Sequence, residues 1–452
     1  MACGARFRAT VGAGLSSVAV LSLACSNLLG ISEPFPRASG DGGSGTGAMG
    51  GLAEAGDEAG GTDGDGTDAA GASSAAGASG APPAACPTEG DRQCAGPAGK
   101  TPQICRAGEW LANPAQNAGN DCPVLCRAGE CQDCEEPATR CSGATQQRCQ
   151  GGAWVDAQAC ASYCLGGECS TPPSCRALGN HPCAGQISCC RALEVPGGSF
   201  VRDYDAQEYD SKNYTATVSS FLMDKFEVTV GRLVGFVDAY TGPNREKGDG
   251  KSAHIANDPG WQVGYPLPAD ANALRAMLNC NETTWTDLEN GDLNLPVNCL
   301  NFYVAYDFCI WDGGRLPTEA EWNAAAAGGS EQRVYPWSVP ADIVIDAKHA
   351  YYGQPGGFPI AVGSKPLGDG RWGHSDLAGN VSEWTLDYYT QPYPSSTCND
   401  CMNATASATR VLRGGAFTSN AESQKVSLRG SRDPAFGRQT VGFRCVRDIP
   451  TP

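Results

Sequence analysis

The sequence predicts a tether, two small disulfide-rich units and a final domain of mixed helix and strand with much irregular loop. Three observations predict it. From Gly40 to Gly80, 15 of 41 residues are glycine. Twelve cysteines between 86 and 169 then fall into two sets of six. Beyond Pro196, three short apolar patterns with capping residues stand among Gly- and Pro-rich stretches. A chain of 452 residues leaves room for two or three folded units.

Charge and cysteine bound the function classes. Lys plus Arg total 32 against 49 Asp plus Glu, a net charge of −17. That balance excludes nucleic acid or an anionic bilayer surface as the main partner, because both need a basic footprint. Eight acidic residues and one base, Arg37, lie between Ile31 and Ala85. The chain has 24 cysteines and four histidines, with no H-x-x-x-H or C-x-x-H spacing. Disulfides in an oxidising compartment are the expectation, and Cys-only zinc ribbons are the alternative.

The N-terminus agrees with export. Arg6 and Arg8 precede a small-apolar run, Val11 to Ala24, too short to span a bilayer. It ends in L-S-L-A-C-S, which resembles the lipobox of bacterial lipoproteins, with Ser22 where leucine is usual. The resemblance implies a signal peptide over 1–24 and acylation of Cys25. It also implies a protein lipid-anchored in the cell envelope, with outer membrane or cell surface as the expected location. Residues 25–85 then form a Gly/Ala/Ser/Asp linker that buries too little apolar surface to offset backbone entropy. A flexible chain of that kind reaches roughly 40 Å.

Residues 86–131 and 132–170 are a duplication. Cys86, Cys94, Cys105, Cys122, Cys126 and Cys131 match Cys134, Cys141, Cys149, Cys160, Cys164 and Cys169. Both sets end C-x3-C-x4-C, and both carry G-x-W after the third cysteine, at Trp110 and Trp154. Units this small need staples, and six cysteines allow about 15 connectivities, none of which the spacing selects. A junction, 171–195, holds four more cysteines.

Residues 196–450 read as the main domain. Thr229 is placed to cap an amphipathic helix with Val230, Leu233, Val234 and Val237 on one face, ending near Gly242. Asn301 caps a second with Val304, Ala305, Phe308 and Cys309 inward and Gly313 as its stop. Thr318 and Glu321 have capping-box spacing before an alanine-rich helix that ends at Gly328.

The motifs G-G-S-F (197–200), F-E-V-T (226–229), G-G-R-L-P-T-E-A-E-W (313–322), Y-P-W (335–337), D-L-A-G-N-V-S-E-W (376–384), R-G-G-A-F (413–417) and G-F-R-C (442–445) occur in this order. The series resembles the formylglycine-generating enzyme family, also called sulfatase-modifying factors, over about 250 residues. It implies an α+β fold, a variant of the C-type-lectin-like fold, and copper- and oxygen-dependent oxidation of a substrate cysteine in sulfatase C-x-P-x-R segments. The family's copper(I) is held by two soft thiolates. By resemblance those positions are Ser419 and Gln424, and the serine of the family motif is Ala416. Copper is therefore not expected, and no catalytic residue is assigned. A three-histidine iron site, as in related sulfoxide synthases, needs an H-x-x-x-H-x-E module that is absent.

The resemblance further implies a disulfide between Cys309 and Cys445. Cys398-x-x-Cys401 reads as a structural disulfide, with a redox role as the alternative, and Cys280 and Cys299 remain as a pair. Asn380 and Glu383 match a structural Ca2+ site of the family. The expected role is a non-catalytic module that binds an exported protein, a peptide or a glycan. The membrane enters only through the lipid anchor. The competing class is an oxidoreductase that modifies cysteine in exported proteins such as sulfatases.

Overall fold

The computed structural model describes residues 86–450, apart from 87, 96–99, 108, 117–121, 123, 128–129, 177–180, 204–213, 287–291, 340–343 and 394–396. The signal peptide, Cys25 and the glycine-rich linker lie outside the described residues.

The two repeats are built alike. The first has strands β1 (Arg92–Ala95), β2 (Thr101–Arg106) and β3 (Glu109–Ala112) in one sheet, then a hairpin of β4 (Leu125–Arg127) and β5 (Glu130–Gln132). The second repeats this with β6 (Thr139–Ser142), β7 (Thr145–Gln150) and β8 (Ala153–Ala159), then β9 (Tyr163–Leu165) and β10 (Glu168–Ser170). In each unit the third cysteine lies directly across the hairpin from the motif tryptophan, Cys105 opposite Trp110 and Cys149 opposite Trp154. This register explains the G-x-W spacing. Both tryptophans are half-buried, and Arg140 lies 4.6 Å from the Trp154 ring centre.

The connectivity that spacing left open is the same in both units: first to third, second to fifth, fourth to sixth. The bonds are Cys86–Cys105, Cys94–Cys126 and Cys122–Cys131 in one, Cys134–Cys149, Cys141–Cys164 and Cys160–Cys169 in the other.

The main domain mixes short helices with three sheets. One sheet is antiparallel, with β11 (Ala192–Val195), β14 (Phe221–Asp224) and β20 (Val446–Asp448) in the order β11-β14-β20. The next joins β12 (Gly198–Val201) antiparallel to β13 (Thr215–Val218), and β13 parallel to β16 (Thr397–Asn399). In the last, β15 (Ser382–Tyr388) lies between β17 (Arg410–Arg413) and β19 (Val441–Gly442), with β18 (Gly430–Arg432) outside β17. Because β11 pairs with β14, which in turn pairs with β20, the folded domain begins before Pro196.

The junction is more than a spacer. Its helix α1 (Pro173–Arg176) places Ser174 against a buried ionic cluster. Ser174 N donates to Asp312 Oδ1 at 2.9 Å and Arg232 Nε donates to Ser174 Oγ at 3.1 Å. Cys175–Cys190 and Cys183–Cys189 close the segment. Tyr163 and Leu165 of the second repeat pack with Ala192, Leu222 and Ile449.

The caps fall where expected. Thr229 Oγ1 accepts from Arg232 N at the start of α2 (Val230–Ala239), and Asn301 Oδ1 accepts from Val304 N before α4 (Phe302–Trp311). Thr318 and Glu321 form the full capping box of α5 (Glu319–Ala327), which ends at Gly328 with φ +67°. Two expectations change. Helix α3 (Ala271–Leu278), capped by Asp270, adds to the three that the sequence predicts; its two buried leucines, Leu274 and Leu278, give too brief a pattern. Helices α4 and α5 are not amphipathic. In α5 every residue is buried, so periodicity carries no signal there. The largest apolar cluster packs α2 and α4 against β15, with Phe236, Phe302, Phe308, Trp384 and Phe443 among its rings.

Candidate functional site

The loop after β17 holds Ser419 and Gln424, the two positions that the resemblance places where the family has its cysteines. Gly414 and Gly415 both lie at positive φ, +90° and +68°. A Cβ on Gly415 would meet Ser423 O at 2.6 Å, so only glycine permits the return of the chain. Backbone bonds then lace the loop between two neighbours. Gly379 N donates to Gly414 O, Phe417 N to Asn380 O, Gln354 N to Phe417 O and Gly353 N to Ser419 O, all at 2.7–2.9 Å.

Ser419 and Gln424 are brought together on the backbone of Ala416. Ala416 N donates to Ser419 Oγ at 3.2 Å, and Ser419 N donates to Ala416 O at 2.9 Å. The Gln424 side chain is fully buried and folds back, its Nε2 donating to Asn420 O at 3.2 Å and Ala416 O at 3.4 Å. A hydroxyl and a carboxamide offer hard oxygens: Ser419 Oγ accepts from Ala416 N, and Gln424 is held through its Nε2, with its Oε1 buried and unpartnered. They do not fit copper(I), which takes two thiolates in the family. Each of the 22 described cysteines is disulfide-bonded, including Cys309–Cys445, Cys398–Cys401 and Cys280–Cys299.

Beneath the loop the motif residues join into one buried network. Arg444 of G-F-R-C uses all five of its N–H groups. Nε and one terminal nitrogen donate to Glu383 Oε2 and Oε1 at 2.8 and 2.7 Å; the others go to the carbonyls of Asp224, Lys225 and Ser375. Trp322 Nε1 also donates to Glu383 Oε2, at 2.9 Å. The capping-box helix and strand β15 are thereby tied to one guanidinium.

Asn380 faces a different carboxylate. Its Nδ2 donates to Glu227 Oε2 at 2.7 Å and its Oδ1 accepts from Ile360 N at 3.1 Å, while Val381 N donates to Glu227 Oε1. The expected pairing of Asn380 with Glu383 around Ca2+ does not fit this geometry. Both Glu383 oxygens already receive charge-assisted bonds from Arg444, and Asn380 is committed to Glu227 and Ile360.

Two acids in this network are held away from their ionised form. Burial raises the Glu227 carboxyl well above its usual range, with the Asp376 and Glu383 charges adding to the effect. Burial likewise pushes Asp376 up to about 6, although its Oδ2 accepts from Gly363 N at 2.6 Å. His374 is buried among them and held down to about 3 by desolvation, with Arg444 and Lys225 next in effect. Glu227 is visible in F-E-V-T as a motif residue, but nothing local signals its role, because its partners lie more than 150 residues away.

A second ionic cluster joins four elements. Asp224 accepts from Arg232 and Arg447 at 2.7 Å each, and Asp312 accepts from the same two arginines at 2.5 and 3.1 Å. Burial alone would raise the Asp224 carboxyl, but the two guanidinium groups hold it below its usual range.

A family profile, the sulfatase-modifying factor enzyme 1-like domain, matches residues 182–449. The formylglycine-generating enzyme of Mus musculus is 25% identical over 291 residues, covering 59% of this chain and 77% of that protein. A mouse protein named inactive C-alpha-formylglycine-generating enzyme 2 is 30% identical over 301 residues, covering 58% of this chain and 86% of its own. Among solved structures, PvdO from Pseudomonas aeruginosa is 21% identical with a TM-score of 0.42, covering 62% of this chain and all of that one. The matched span starts inside the junction, as the sheet pairing of β11 requires. The motifs that carry Glu227, Trp322, Glu383 and Arg444 lie inside the span matched by the family profile, and by that match the chain belongs to the sulfatase-modifying factor family.

Proposed function

We propose that this protein is an exported lipoprotein whose sulfatase-modifying-factor domain, on a variant of the C-type-lectin-like fold, binds a peptide, protein or glycan without oxidising it. The observation that carries this reading is the pair Ser419 and Gln424, turned onto the Ala416 backbone where the enzymes carry two reactive thiols. That one similar protein is itself named inactive supports this reading. The eleven disulfides fit an oxidising compartment, and no helix among the described residues is long and apolar enough to cross a membrane.

The test is a copper(I) titration of the purified chain together with incubation of a C-x-P-x-R peptide in air with copper and a thiol reductant. The expected result is no tight copper binding and an unchanged peptide. Conversion of that peptide to its aldehyde by substoichiometric protein would overturn the reading and favour the oxidoreductase class, with Cys398 and Cys401 the first residues to mutate. The anchor is tested separately. Cys25→Ser should move the protein from the membrane to the soluble exported fraction and abolish palmitate labelling.

A further inference from the structure

Among the described residues, strand β12 is the edge of its sheet and pairs only with β13. Arg202 N donates to Tyr214 O at 2.8 Å, which sets the alternation of the ladder. Phe200 and Gly198 then exchange bonds with β13, while the backbone groups of Val201 and Ser199 point outward. Val201 is covered in an informative way. Gln332 Oε1 accepts from Val201 N at 2.7 Å and Gln332 Nε2 donates to Val201 O at 2.8 Å. One carboxamide thus makes both bonds that a residue of a neighbouring strand would make. The edge accepts a peptide group, and here a side chain imitates one.

Two residues back, the same edge is open. Ser199 is exposed, its hydroxyl bonded to Thr217 Oγ1 at 2.7 Å, and no described residue bonds its outward backbone groups. Beside it lies a depression of about 220 Å³ lined by Gly197, Ser199, Ala324, Gly329, Arg371 and Trp372. The glycines keep its wall low and Trp372 gives it an apolar face. Arg371 sits 3.1 Å from Glu331, but Glu331 also pairs with Arg333 at 2.7 Å. Two guanidinium groups share one carboxylate, so the rim carries excess positive charge. None of these residues belongs to the 413–424 loop.

We propose that this edge binds an extended peptide by strand addition at Ser199, with an apolar side chain against Trp372 and a carboxylate two residues along, on the same face of the peptide, toward Arg371. Main-chain bonds supply the attachment and the depression supplies the selectivity, as in other strand-addition sites.

The probe is a fluorescein-labelled, C-terminally amidated hexapeptide, Thr-Leu-Val-Asp-Val-Thr, with leucine and aspartate on one face, titrated with the full exported chain and followed by anisotropy. Saturable binding is expected. It should weaken about tenfold or more, roughly 1.4 kcal/mol, on N-methylation of the leucine and valine amides and on replacement of the peptide aspartate by asparagine. Arg371→Gln should remove the preference for aspartate. Ser199→Pro should also weaken binding, because it deletes an outward N–H outside the β13 ladder, and proline is tolerated on edge strands. The N-methylated peptide leaves the protein unaltered, so it decides the matter even where the proline variant folds poorly. No saturable binding of the parent peptide up to about 1 mM, or equal binding of the N-methylated form, would overturn the proposal.

Discussion

Glu383→Gln is the perturbation that most directly probes the network beneath the 413–424 loop. Glu383 is fully buried and receives three bonds, two from Arg444 and one from Trp322 Nε1. Glutamine offers one acceptor oxygen in place of two and turns an NH2 group toward either the guanidinium or the indole N–H. The Arg444 charge stays in place, because its three carbonyl partners keep it there without neutralising it. Breaking one partner of a buried ion pair costs about 3–5 kcal/mol. Replacing both partners by apolar residues of similar size, as in Glu383→Leu with Arg444→Met, leaves no stranded charge and should cost less than the single change. The carbonyls released from Arg444 keep that cost above zero. Urea unfolding of the disulfide-bonded chain, with the two singles and the double, gives the coupling energy directly. A Glu383→Gln loss below about 1 kcal/mol, or a double variant worse than the sum of the singles, would refute the reasoning. Adding EDTA to the wild type should leave its unfolding midpoint in place, since Glu383 is held by Arg444. A large chelator-dependent shift would show instead that a cation holds this region.

Asp376→Asn should stabilise the protein at pH 8 and do little at pH 4. The folded carboxyl titrates near 6 against 3.8 ordinarily, so wild-type stability falls as pH rises through that window, and the amide removes a loss of roughly 1–3 kcal/mol; a gain independent of pH would contradict this. Cys309→Ser with Cys445→Ser opens a bond spanning 136 residues, for which loop closure assigns about 4–5 kcal/mol. Peptide mapping without reduction should recover the linked pair from the wild type. A chain starting at Pro196 should be far less stable than one starting at Thr171, because only the longer keeps β11, the Cys175–Cys190 bond and Ser174 on Arg232 and Asp312; equal unfolding midpoints would make the junction a mere spacer.

What the sequence by itself determined is what depends on neighbours along the chain. Thr229, Asn301 and Thr318 cap helices through bonds to residues three positions on, and such bonds have a spacing that can be read directly. The duplication of the cysteine units, and the absence of cysteine at Ser419 and Gln424, are likewise written in one dimension. The tertiary structure alone decided how the six cysteines of each repeat connect, because many pairings satisfy the same spacing and only the hairpin register selects one. It also decided the fate of the charged motif residues. Glu383 has the look of a cation ligand beside Asn380, yet it faces Arg444 from the far end of the chain, while Asn380 faces Glu227. A carboxylate buried on folding takes whichever positive or donor group the packing places against it, and in this fold those groups come from 61 and 153 residues away.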